Sequence, residues 1–292
     1  MFSAARPVRY EDLLVTSGYK ESDLDAKVVI RTKSRYSNKV LLALQTNDYL
    51  LAREAYEWTQ SIPQTNTTRA LGDLDIVIDG CLIGLNEHLE ICFVCGKPSV
   101  LKTVTLSEYN RAQELQCSFI SHENLVSFIL RNLNGKHFVI MPLLPITVEH
   151  LCGISENTAI MMWDQIGSAL DCLHAHGFVH KDVKSANICV DRNGNFILID
   201  FGDTVKIGYK SASTIEYVPS DIDATDFANI AIDWWMLAMT VYDRMQPSGK
   251  GLRTTEDGQQ MSTSKLLDWF EIHGFKTLLD KIVAKVQITK LN

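Results

Sequence analysis

Apolar positions come first as short runs along the chain and later as helical stripes. Leu74–Leu85, His88–Cys95 and Ser99–Val104 are apolar runs broken by Asn86-Glu87 and Gly96-Lys97-Pro98, which predicts three strands. Ser107–Cys117 reads as a helix, and HFVIMPLL (His137–Leu144) as a buried strand with Pro142 near its end. Over Thr158–His174, Ile160, Trp163, Leu170 and Leu173 share one stripe, and Gly177 follows as a stop signal. Ile188–Val190 and Phe196–Ile199 flank Asp191-Arg192-Asn193-Gly194, a good hairpin turn. Ala231–Met245 is mostly apolar, as in a buried helix. Strands followed by helices predict an α+β class in two lobes.

The N-terminal part reads differently. Residues 1–38 are polar without strong periodicity, whereas Leu51, Ala55 and Trp58 fall on one helical face after Asn47. Ser61–Gly72 (SIPQTNTTRALG) has the Pro, Asn and Thr of a linker, so 1–72 reads as a partly helical extension.

Composition narrows the function. The 28 Lys and Arg against 35 Asp and Glu leave a net charge of −7, which argues against a nucleic-acid partner or an anionic membrane surface. No apolar run approaches the length of a membrane span, and the N-terminus lacks the apolar core of a secretory leader. The 7 cysteines are scattered, as reduced thiols are, so an intracellular protein, cytoplasmic or nuclear, is expected.

The chemistry concentrates in residues 176–202, HGFVHKDVKSANICVDRNGNFILIDFG. Asp182 sits in a loop, Asn187 follows five residues on, and the hairpin can return Asp200 to that loop. Two carboxylates, an amide and Lys184 then converge. Hard oxygen ligands with a lysine suit magnesium and phosphate, and a further carboxylate can accept a hydroxyl proton.

His180-Lys181-Asp182-Val183-Lys184-Ser185-Ala186-Asn187 followed by Asp200-Phe201-Gly202 resembles the catalytic loop and metal-binding motif of eukaryotic-type protein kinases. Thr214–Asp221 (TIEYVPSD) resembles the end of a kinase activation segment, with Asp221 in place of its usual glutamate. Asp233-Trp234-Trp235 resembles the start of the buried central helix, whose aspartate ties down the catalytic loop. The resemblance implies a small β-rich lobe over 73–144 and a larger helical lobe over 145–292. It makes Asp182 the base that orients the substrate hydroxyl, with Asn187 and Asp200 holding magnesium. Lys184 neutralises the transferring phosphate, and Thr214 bridges Asp182 and Lys184.

Upstream, Val100-Leu101-Lys102 resembles the strand that roofs adenine and reaches the ATP phosphates. Alternation puts Val100 and Lys102 on one face. The glutamate partner of Lys102 is expected at Glu114, with Glu108 as the alternative. Met141 takes the gatekeeper position, and Leu144 offers the main backbone N–H to adenine. The glycine-rich loop departs from the family: in Gly80-Cys81-Leu82-Ile83-Gly84-Leu85 only Gly80 is in register. The implied activity is transfer of the ATP γ-phosphate to serine or threonine of a protein substrate, with Mg2+. The alternative is a pseudokinase, a scaffold or binding module on the same fold.

Overall fold

A computed structural model of the chain describes residues 69–70, 76–79, 89–94, 97–144, 146–191, 193–209, 215–223, 228–247 and 261–288. The small lobe is an antiparallel sheet in the order β1-β2-β3-β4-β6-β5. Its strands are β1 Arg69–Ala70, β2 Ile76–Asp79, β3 Leu89–Val94, β4 Lys97–Val104, β5 Ile129–Leu133 and β6 Lys136–Pro142. β1 pairs with Val77 and Ile78, so the sheet begins inside the stretch read as an extension. The rest of that extension, 1–68 and 71–72, lies outside the described residues.

Alternation in β4 and β6 sorts the sheet into two faces. Leu101, Phe138 and Ile140 bury against one another on one face. Lys102, Val104, Val139 and Met141 line a cavity on the other. The ladder sets Lys102 opposite Val139 and Val100 opposite Met141. β5 was not expected from the sequence. It forms a hairpin with β6 through Asn134-Gly135, whose φ values of 51° and 76° fit a two-residue turn.

Helix α1, Leu106–Cys117, crosses the cavity from the small lobe. Thr105 caps it in a reciprocal box: its hydroxyl accepts from the Glu108 N–H, and Glu108 Oε2 accepts from the Thr105 N–H at 2.7 Å. Only Ala112 and Leu115 of this helix are buried.

The large lobe is built on α2, Glu156–Ala175, and α3, Ile230–Met245. Ser155 caps α2, and Gly177, at φ 81°, closes it by donating to the His174 carbonyl. α3 buries 14 of its 16 residues, as its nearly continuous apolar sequence predicts. Two further helices, α4 Thr263–Ile272 and α5 Lys276–Ile288, were not anticipated. Leu266, Phe270, Leu278, Ile282 and Val286 join the same core, each side chain contributing about 1.5–3 kcal/mol by burial. Asp164–Lys281 and Asp171–Lys285 pairs join α5 to α2, and Lys285 lies over the Trp234 ring. Among the described residues no helix is long and apolar enough to cross a membrane.

Candidate active site

The loop after α2 is held from below by α3. Short strand β7, Ile146–Thr147, precedes α2, and β8, Phe178–Val179, leads into the loop. Asp233, wholly buried on α3, accepts the backbone N–H of His180 and of Lys181, each at 2.8 Å, and pairs with His174 Nε2 at 2.8 Å. Lys181, the second of the two residues whose amides share this carboxylate, takes a left-handed φ of 63°. The Thr240 hydroxyl, about two helical turns further along α3, donates to the Met236 carbonyl of its own helix at 2.8 Å and lies 3.3 Å from the Val183 carbonyl of the loop.

Inside the loop, polar side chains converge on Asp182. Asn187 Nδ2 donates to the Asp182 carbonyl at 2.9 Å and to Oδ2 at 2.6 Å. Lys184 Nζ lies 2.9 Å from the same carboxylate oxygen. Asp182 is nearly buried, with Lys184 at its open side. The Asn187 amide nitrogen is turned toward Asp182, which leaves its carbonyl oxygen as the hard ligand.

The β9–β10 hairpin, Ile188–Val190 with Phe196–Leu198, returns the chain to this loop. The Asp191 carboxylate stabilises the turn by accepting the N–H of Asn193 and Asn195. The Ile199 N–H then donates to the Asn187 carbonyl at 2.9 Å, so Asp200 emerges beside Asn187. Asp200 takes φ 65° and turns its carboxylate to Lys102, whose Nζ lies 2.7 Å from both oxygens. Burial pushes the Asp200 pKa up. Lys102, the Gly202 N–H and His180 outweigh it and hold the group below the ordinary carboxylate range. Gly202 is needed for the fit: a Cβ there would stand 3.2 Å from Asp200 Oδ1 and 3.3 Å from Glu108 Oε1.

Asp203 links the two halves of the site. Its pKa is raised by burial first and then by the charge of Asp182 and of Asp200, while Arg111 and Lys184 oppose the rise. The Ile199–Asn187 backbone bond sets Asp200 beside the loop in which Asn187 and Lys184 contact Asp182. Such a set of carboxylate and amide oxygens with two lysines fits a magnesium-bound polyphosphate. Above it, Val100 and Met141 face each other across β4 and β6, and half-buried Leu144 follows β6.

The residues expected from the sequence fall into three groups. Asp182, Lys184 and Asn187 are in contact, and Lys102 is in contact with Asp200. Gly80 and Thr214 lie outside the described residues. Glu114 does not face Lys102. It is half exposed and pairs with Lys206 of β11, Val205–Lys206. Glu108 instead lines the cavity with Lys102. The reason is helical phase: Glu108, Ala112 and Leu115, spaced i, i+4 and i+7, form the inward stripe, and position 114 is off it.

Two contacts were missed. Arg111 Nε donates to the Gly202 carbonyl at 2.6 Å, joining α1 to the Asp200 segment. Asp221 accepts the N–H and hydroxyl of Thr263 at the start of α4, at 2.8 and 2.6 Å. Through these two bonds Asp221 sits at a helix N-terminus, where a carboxylate is favoured.

The protein kinase domain family matches residues 96–280, well over half of the chain, and the protein belongs to that family. It is thus a kinase-domain protein of a family that acts on protein substrates and generally uses ATP with Mg2+.

Proposed function

We propose that the chain is an active protein kinase that transfers the γ-phosphate of magnesium-ATP to serine or threonine of a protein, in the cytoplasm or nucleus. The observation that carries this reading is the Asp182 cluster, in which Asn187 and Lys184 fix one carboxylate oxygen at 2.6 and 2.9 Å. Asp182 accepts the hydrogen bond of the incoming hydroxyl and takes its proton as the oxygen attacks. Lys184 spans the carboxylate and the path of attack, so its charge offsets the negative charge gathering there. Lys102 and Asp200 hold the nucleotide end, Lys102 toward phosphate oxygens and Asp200, with Asn187, toward the cation. ATP with its metal supplies the transferable phosphoryl group. The protein contributes position and charge, without a covalent intermediate.

Serine and threonine are favoured over tyrosine by Lys184 two residues after Asp182. A lysine at 2.9 Å from the base narrows the approach to a short aliphatic hydroxyl. One observation favours the scaffold reading: Lys102 pairs with Asp200 and Glu108 accepts from the Thr105 N–H, so the nucleotide-side charged groups already have partners within the protein.

The test is incubation with Mg2+ and labelled ATP on a mixed peptide library, wild type beside Asp182→Asn, followed by phosphoamino-acid analysis. Phosphoserine and phosphothreonine from wild type, reduced about 10²–10⁴-fold in the variant, are expected. Equal labelling by both proteins would sink the catalytic assignment, and phosphotyrosine would sink the specificity.

A further inference from the structure

One tether of the catalytic loop runs toward the solvent shelf beside it instead of into α3. The Ser185 hydroxyl lies 2.8 Å from the Tyr217 phenol oxygen, and both residues are buried. Ser185 follows Lys184 directly and starts the short 3-10 turn Ser185–Asn187. Tyr217 ends another, Ile215–Tyr217, and opens the stretch 217–221. Glu216 just before that stretch and Ser220 and Asp221 within it are exposed, whereas Tyr217, Val218 and Pro219 are buried. Its far end is tied down by the Ser220 N–H on the Met261 carbonyl at 2.8 Å and by Asp221 on Thr263.

The hydroxyl pair is chemically selective. The Tyr217 ring belongs to the main core, a role that phenylalanine would also fill. A buried phenol needs a hydrogen-bond partner, and so does a buried serine hydroxyl. Each group meets the need of the other, so the two are energetically coupled. Burial, with a smaller push from Asp243, raises the Tyr217 pKa, so the phenol keeps its proton and the pair stays neutral.

We propose that the Ser185–Tyr217 pair is a positioning device for the acceptor substrate: it fixes the height of the 215–221 shelf relative to Asp182. This rests on the kinase reading above. A polypeptide presenting a hydroxyl to Asp182 must lie on the shelf adjoining the loop, and the pair joins the two directly. The nucleotide side, built on Lys102 and Asp200, is not part of this contact. The pair therefore controls engagement of the peptide and leaves the nucleotide alone.

The experiment compares wild type, Ser185→Ala, Tyr217→Phe and the double variant, each as the full chain. Either single change is expected to lower kcat/KM for a peptide acceptor about tenfold, chiefly through KM, with the apparent constant for MgATP within about twofold of wild type. The double variant is expected to be no worse than the weaker single, because both remove the same bond. Hydrogen exchange at residues 215–221, measured without turnover, is expected to speed up in every variant. Unchanged peptide KM with unchanged exchange would overturn the proposal, as would losses that multiply in the double variant. A parallel loss of MgATP affinity would also overturn it, since that marks general loosening. If wild type phosphorylates no acceptor, the kinase reading fails by itself, and the exchange rates still decide whether the tether exists.

Discussion

Helices α1 and α3 approach the same site from opposite sides and hold it by different means. α3 is buried over nearly its whole length, and it grips the catalytic loop through the wholly buried Asp233. α1 buries only Ala112 and Leu115, and it reaches the site through the partly exposed Arg111 on Gly202, while Glu114 pairs with Lys206 away from it. The acceptor side of the site is thus part of the core, and cannot shift without unpacking it. The nucleotide side is joined to its helix by contacts that cost little to break. Asp182 is set by folding, whereas the surroundings of Lys102 and Asp200 are free to answer to a ligand or to the activation segment.

The sharpest way to break this contrast is Asp233→Ala. The change leaves the amides of His180 and Lys181 and the imidazole of His174 without their shared acceptor. A buried group stripped of its partner costs about 1–3 kcal/mol, and three at one point give an expected loss of about 3–5 kcal/mol. For a domain of this size that lowers the thermal midpoint by roughly 10 °C. Calorimetry measures it, and an unchanged midpoint would mean that α3 does not hold the loop.

Lys102→Met tests the other side. In wild type the folded pKa of Asp200 lies below its unfolded value. The carboxylate therefore adds stability that is present above the unfolded pKa, about 3.9, and is lost as pH falls through the folded one. Without Lys102, burial becomes the dominant influence and the folded pKa rises above the unfolded value. The sign reverses: the group then stabilises only below about pH 4, and that contribution is lost as pH rises through its new pKa. Denaturant titrations between pH 3 and 7 are expected to show a variant that gains relative stability in acid. A profile parallel to wild type would show that Lys102 does not control Asp200. Phosphoryl transfer by the variant is expected to fall sharply, while the catalytic loop stays folded.

The same division explains what was legible in the sequence. The buried half was read well, because an element inside the core must show its period or its apolarity. α2 displayed its stripe and its stop at Gly177, and the hairpin its Asn-Gly turn, while α3 displayed its apolar run with Asp233 inside it. The contact of Asp182 with Lys184 and Asn187 followed from local spacing. The exposed half was read poorly. Glu114 was expected to partner Lys102, with Glu108 as the alternative, although the stripe of Ala112 and Leu115 singles out Glu108. The β5–β6 hairpin carried a usable signal in Asn134-Gly135 that was overlooked. α4 and α5 bury one stripe each against α3 and α2, too narrow to stand out beside their charged residues. The bond of Asp221 to Thr263 spans 42 positions, and no local pattern foretells it.

A graded pair of substitutions on α1 sharpens the comparison at its weak end. Arg111→Ala removes the bond to the Gly202 carbonyl, and with it the attachment of α1 to the segment that carries Asp200. The guanidinium also lies near enough to Asp203 to oppose its raised pKa. kcat/KM is expected to fall about tenfold, with little change in thermal midpoint, because a charge-assisted bond contributes about 1.5–3 kcal/mol and solvent replaces part of it here. Glu114→Gln, one turn along, is expected to do almost nothing. Both partners of the Glu114–Lys206 pair are about half exposed, and such pairs are largely screened by solvent, more so in salt. The two residues lie on the same helix, three positions apart, so a general disturbance of α1 would affect both variants alike. Peptide kinetics at low and at high ionic strength separate the cases: Arg111→Ala is defective in both, whereas Glu114→Gln matches wild type at high salt and departs slightly, if at all, at low salt. A Glu114→Gln defect as large as that of Arg111→Ala, persisting in high salt, would return Glu114 to the site and erase the distinction between the two faces of the helix.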